Sequence, residues 1–96
     1  MSDGAPPDDP RSKSLIDYPS AFPIKVMGAH AEGFAEAVAA VARQFDPAFD
    51  ATTIETRPSK AGNYLGLTIT VTATSREQLD ELYRALSTHP MVKVVL

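Results

Sequence analysis

A two-layer α+β sandwich, built in the order βαββαβ with both helices on one face of a four-stranded sheet, is the fold class this chain predicts. Three observations predict it. Residues Tyr64 to Ala73 alternate without a slip, with Leu65, Leu67, Ile69, Val71 and Ala73 on one side and Tyr64, Gly66, Thr68, Thr70 and Thr72 on the other. Side chains along a strand alternate with period 2, so this segment has one dry face and one wet face. Two further segments, 31–45 and 75–87, carry apolar residues at helical spacing. Each is followed by β-patterned residues, so the elements alternate in kind and a sheet with one wet face needs helices on only one side.

Each element can be justified in turn. In Phe22-Pro23-Ile24-Lys25-Val26-Met27-Gly28 the apolar Phe22, Ile24 and Val26 alternate with Pro23, Lys25 and Met27, which predicts the first strand, ended by Gly28. A proline is tolerated at the start of a strand. Ala31 to Phe45 is rich in alanine, and Phe34, Val38, Val41 and Phe45 fall on one helical face. Glu32 and Glu36 near its start and Arg43 near its end suit the helix dipole, and Pro47 cannot continue it. Phe49 to Arg57 holds Thr52, Thr53, Ile54 and Thr56, β-branched residues that favour a second strand, with Glu55 and Arg57 as edge charges. Pro58 to Asn63 is turn chemistry, so the second strand and the long third strand form a hairpin. Thr74 with Glu77, or Ser75 with Gln78, fits a capping box, and Leu79, Leu82, Tyr83 and Leu86 follow at i, i+3, i+4 and i+7. After His89-Pro90, Val92, Val94 and Leu96 alternate with Lys93 and Val95 as a fourth strand. Short connections and right-handed crossovers make this order the split-βαβ, ferredoxin-like sandwich, with strands 1 and 3 central and strands 2 and 4 at the edges.

Composition narrows the functional classes. The 96 residues make one small domain, and the formal net charge of −3 argues against phosphate-backbone binding as the main task. Cysteine is absent, which removes disulfides, thiolate metal sites and cysteine nucleophiles. No apolar run reaches the ~20 residues that span a bilayer, and no basic head with an apolar stretch opens the chain, so a cytoplasmic protein is expected. Residues 1–16, with Pro6, Pro7 and Pro10 and more acidic than basic side chains, are expected to be a disordered tail; residues 17–96 are expected to form the domain.

The motifs together resemble the YbeD-like family of small bacterial proteins, a domain of unknown function. The matching stretches are Tyr18-Pro19, Phe22 to Gly28, Ser59 to Tyr64, Thr68 to Thr74, Leu82-Tyr83 and Val92 to Leu96, and the resemblance covers about residues 15–96. The family is similar in fold to the ACT-type regulatory domains of amino-acid metabolism, and that similarity implies a binding or regulatory role by analogy.

Candidate ligand-binding residues fall in two loops. The hairpin loop gathers Arg57, Ser59, Lys60, Gly62, Asn63 and Tyr64, where amides in a glycine-containing turn, a guanidinium and an ammonium can hold a carboxylate or phosphate. The competing explanation is a solvated turn. Gly28-Ala29-His30 joins strand 1 to helix 1, and the resemblance to ACT-type domains implies that this loop approaches a ligand, Gly28 allowing close backbone approach and His30 standing beside it. Lys25, Thr68, Thr70, Thr72 and Lys93 are expected to line the open face of the sheet. His30 and His89 stand without partners at ligand spacing, so no metal site, catalytic set or cofactor is expected.

These residues predict a non-catalytic binding or regulatory module that takes a small anionic metabolite or a metabolic enzyme as partner. An RNA-binding module on the open face is the alternative of another class, disfavoured because only Tyr64 could stack a base there. A small acylphosphatase-like enzyme is the third, disfavoured because Gly28-Ala29-His30 holds no arginine and strand 2 no asparagine. Met91, Val92, Val94, Val95 and Leu96 leave an apolar edge with Lys93 as its one charged guard, which predicts a homodimer through the strand at 92–96.

Overall fold

The computed structural model describes residues 17–96, so the expected tail at 1–16 lies outside the described residues. Its elements are β1 (Ser20–Ala29), α1 (Phe34–Phe45), a 3-10 turn at Ala51–Thr53, β2 (Glu55–Pro58), β3 (Tyr64–Ala73), α2 (Arg76–Ser87) and β4 (Val92–Val95). The sheet order is β2-β3-β1-β4, with every neighbouring pair antiparallel. This is the ferredoxin-like sandwich, with β1 and β3 central.

The core lies between the sheet and the two helices. Leu65, Leu67, Ile69, Val71 and Ala73 of β3 and Ile24 and Val26 of β1 meet Phe34, Val38, Val41 and Ala42 of α1 and Leu79, Leu82 and Leu86 of α2, all of them buried. Burying one such side chain stabilises the fold by about 1.5–3 kcal/mol, which is why the period-2 and helical stripes determine the layering. β1 and β3 pair over ten positions, from Ser20–Ala73 to Ala29–Tyr64. This long ladder is the frame on which both edge strands hang.

Four expectations need correction. Helix α1 begins at Phe34 and not at Ala31, because Gly33 takes a left-handed conformation (φ 86°) that ends the preceding turn. Strand β2 begins at Glu55 and not at Phe49. Thr52 donates its amide (2.9 Å) and hydroxyl (2.6 Å) to the Asp50 carboxylate, and the Thr53 hydroxyl bonds the Asp50 carbonyl at 2.7 Å. Those local bonds draw the threonines into a 3-10 turn and override their strand preference. Phe49, ahead of that turn, is a buried core residue.

Gly28 does not end β1, which runs to Ala29. Strand β4 also departs from simple alternation. Val94 pairs with Met27 while Val92 pairs with Gly28, so Lys93 is an extra residue at a bulge. Val92 and Val95 therefore face the helices, and Val94 and Leu96 emerge on the open side.

The capping box at α2 is the Ser75–Gln78 one. The Ser75 hydroxyl accepts from the Gln78 amide at 3.0 Å, and the Gln78 side-chain carbonyl accepts from the Thr74 amide at 2.7 Å. Gln78 reaches further: its Nε2 donates to the carbonyls of Phe45 (2.7 Å) and Thr72 (3.1 Å). Beside it, the buried Asp46 carboxylate accepts from the amides of Thr72 (2.9 Å) and Ala48 (3.2 Å). These two side chains tie the end of α1, the end of β3 and the start of α2 into one corner.

Candidate functional site

The open face can be read as rows across the sheet. One row holds Glu55, Thr68 and Lys25, and the next holds Arg57, Gly66, Met27 and Val94. Leu96 extends the first row, since its amide and carbonyl exchange hydrogen bonds with Lys25 at 2.7 and 3.3 Å. Residues i and i+2 share a face, so the rows stack into one surface. Thr70 and Thr72 lie further along β3, exposed and opposite Pro23 and Ala21.

Among the described residues, a concavity sits on this face. It has a volume of about 590 Å³, and its lining includes Lys25, Met27, Glu55, Arg57, Tyr64, Gly66, Thr68, Val94 and Leu96. The missing side chain at Gly66 opens its middle, with Met27 and Arg57 on either side. The exposed large apolar residues of the described chain are Met27, Tyr64, Val94 and Leu96, and all four line this concavity. Among its lining side chains, Lys25 and Arg57 bring two cations and Glu55 one carboxylate. It presents an apolar floor rimmed by cations.

The hairpin loop and the β1–α1 loop come together at one end of the sheet. The His30 amide donates to the Asn63 carbonyl at 2.9 Å, and His30 Nδ1 donates to the Gly62 carbonyl at 3.1 Å, which requires the proton on Nδ1. Inside the loop, the amides of Ser59 and Gly62 bond the carbonyls of Tyr64 (2.8 Å) and Ser59 (2.9 Å), and the Tyr64 amide bonds the Ser59 hydroxyl at 3.1 Å. Gly62 supplies the positive φ of 80° that the turn demands. The amides of Ser59, Gly62 and Tyr64 thus hold the turn. Lys60 and Asn63 stand exposed at its tip, outside the lining of the concavity, while Ser59 and Tyr64 reach it.

Gly28 is buried and has a packing role. A Cβ there would fall 2.7–2.8 Å from the Phe34 ring and closer still to the Met91 carbonyl oxygen. The space a ligand would use is filled by the protein. Lys93 stands at the bulge, outside the lining, and Val94 on β4 and Leu96 just after it take the open-face positions. Single-sequence alternation could not reveal this, because a bulge shifts the phase with no residue of its own to announce it.

Comparison with known proteins follows the same outline. A family model described as a protein of unknown function, DUF493, matches residues 13–96. The UPF0250 protein of Leptothrix cholodnii is 73% identical over 89 residues, covering 93% of this chain and 98% of the relative. The chain belongs to the DUF493 family. The UPF0250 protein of Bordetella parapertussis is 64% identical over 87 residues, covering 91% of this chain and 96% of its own. The solution structure of HP0495 from H. pylori matches with a TM-score of 0.72 at 16% identity, over 99% of this chain and 98% of that one. The DUF493 membership bears out the YbeD-like resemblance, and the HP0495 match bears out the ferredoxin-like fold. Among the described residues, no helix is long and apolar enough to cross a membrane, and no three His, Asp or Glu side chains group as metal ligands.

Proposed function

We propose that this DUF493 protein is a non-catalytic binding module of the cytoplasm and that its open-face concavity takes a small anionic metabolite with an apolar body. One observation carries the reading: Lys25 and Arg57 flank the exposed Met27, Val94 and Leu96 in a single concavity of about 590 Å³. That volume suits a small molecule, and apolar walls with a few convergent polar groups are the usual make-up of such sites. A carboxylate would sit between the ammonium and the guanidinium, with the apolar portion over Met27 and Val94. Charge-assisted hydrogen bonds of this kind are the strong ones. Tyr64, at the margin, adds one aromatic edge. The tip of the hairpin loop contributes less, because Lys60 and Asn63 stand outside the lining of the concavity.

The test is a panel of carboxylate metabolites, read by thermal shift and by amide chemical-shift changes. Perturbations are expected at Lys25, Arg57, Gly66 and Val94. The double substitution Lys25→Ala with Arg57→Ala should weaken binding by about tenfold or more, the scale of one lost charge-assisted pair. Binding that survives both substitutions, or silence across the panel, overturns the reading. If the protein instead captures a metabolic enzyme through the same residues, the partner class changes and the site stands.

A further inference from the structure

The two edges of the sheet are guarded unequally. Strand β2 carries Glu55 and Arg57 and closes on Pro58, which has no amide proton to offer a neighbour. Strand β4 is short and bulged at Lys93, yet its last residues are apolar and its outer side is open in the sheet order. The hydrogen bonds identify which groups face outward. Leu96 exchanges both of its bonds with Lys25, and in an antiparallel ladder such pairs alternate with non-bonded ones. Val95, paired with Val26, is therefore a non-bonded position whose N–H and C=O point away from β1, toward the free edge.

We infer that β4 pairs with β4 of a second copy of this chain, antiparallel about a two-fold axis at Val95. The register follows from the geometry. With the two Val95 residues exchanging N–H···O=C bonds on the axis, Val94 of each copy lies directly opposite Leu96 of the other. Both side chains emerge on the open face, where Val94 is 45% and Leu96 71% exposed in the single chain. The contact is self-complementary, as a two-fold interface must be, and it places no like-charged side chains opposite one another. Lys93 falls beyond the paired residues. Pairing covers the four most edgeward apolar side chains with one another and makes one eight-stranded sheet from two four-stranded ones.

The dimer also changes the concavity. Val94 and Leu96 line it, so each copy would bring its own pair against the wall of the other's site. The inference does not rest on the ligand reading, since the edge and its register are properties of β4 alone. The contact is small, in the weak class below about 1,200 Å², so a reversible equilibrium is expected.

Sedimentation equilibrium up to ~1 mM protein should show a concentration-dependent monomer–dimer exchange. Leu96→Glu and, separately, Val94→Lys should shift it by at least about tenfold toward monomer with an unchanged circular dichroism spectrum, both residues being exposed. The chain contains no cysteine, so engineered thiols report the register cleanly. Directly opposite non-bonded residues have Cα atoms ~4.5 Å apart, within disulfide reach, and diagonal ones ~7–8 Å, beyond it. A mixture of Val94→Cys and Leu96→Cys proteins should therefore cross-link at least about tenfold faster than either alone. A single monomeric species at ~1 mM, or cross-linking no faster in the mixture than in the separate proteins, overturns the inference.

Discussion

Gly28 shows how much one absent side chain can decide. It lies on β1 beneath the Phe34 ring and beside the Met91 carbonyl, and both come closer than any Cβ tolerates. The glycine leaves room for the first aromatic residue of α1 and for the backbone that leads into β4. Gly28→Ala is expected to lower stability by about 1–3 kcal/mol through overpacking, measured as a fall in the denaturant midpoint at constant slope. Asp46 and Gln78 act at the same scale. Gln78 serves Phe45, Thr72 and Thr74 at once, so Gln78→Ala should cost about 1–3 kcal/mol, more than an ordinary surface substitution. None of these roles is visible in one sequence. A glycine at a strand end and a polar residue in a helix's first turn both have simpler local explanations, and the partners that give them their roles lie as many as 63 residues away along the chain.

At the scale of elements, local chemistry and pattern compete. The segment at Phe49 to Arg57 is β-branched, yet Asp50 gathers Thr52 and Thr53 into a 3-10 turn and shortens the strand to Glu55–Pro58. The hydroxyl and amide of Thr52 hold the Asp50 carboxyl below its ordinary value. The carboxylate is the form that accepts those bonds. Their support is therefore present above the carboxyl's unfolded value and is lost as pH falls through the lowered folded value. An NMR titration should show the Thr52 amide resonance following Asp50 at acid pH, with no change near neutrality. An amide shift centred above the ordinary carboxylate range would contradict this. The capping box of α2 was legible as a motif, because Ser75 and Gln78 satisfy a local need; β4 was legible as a strand but not in phase, since its bulge depends on how Met91 and Val92 meet Gly28.

On the scale of the whole molecule, the fold separates two surfaces. One face of the sheet is sealed by α1 and α2, and the other is left open with its exposed apolar residues and two cations at one end. A small anionic ligand and a second copy make different demands on that end. The ligand's charge calls on Lys25 and Arg57, while Val94 and Leu96 serve both the ligand's apolar portion and the dimer, and Val95 the dimer alone. The two predictions therefore separate experimentally: removing the cations should spare sedimentation behaviour, and Leu96→Glu should shift the monomer–dimer equilibrium while leaving the fold intact. Lys60 and Asn63, at the tip of the closed loop, should tolerate alanine with changes within about 0.5 kcal/mol, as surface residues do.

By itself the amino-acid order determined the layering of this protein. Period-2 and helical repetition of apolar residues are local facts, and burying them requires the two helices to pack on one face of the sheet. The tertiary structure alone decided which side chains meet. Lys25 on β1, Arg57 on β2 and Leu96 just after β4 converge because of strand order and register. The bulge at Lys93 then decides which of the last residues face the open side. Such convergence depends on pairings between distant segments, to which no single stretch of sequence is sensitive.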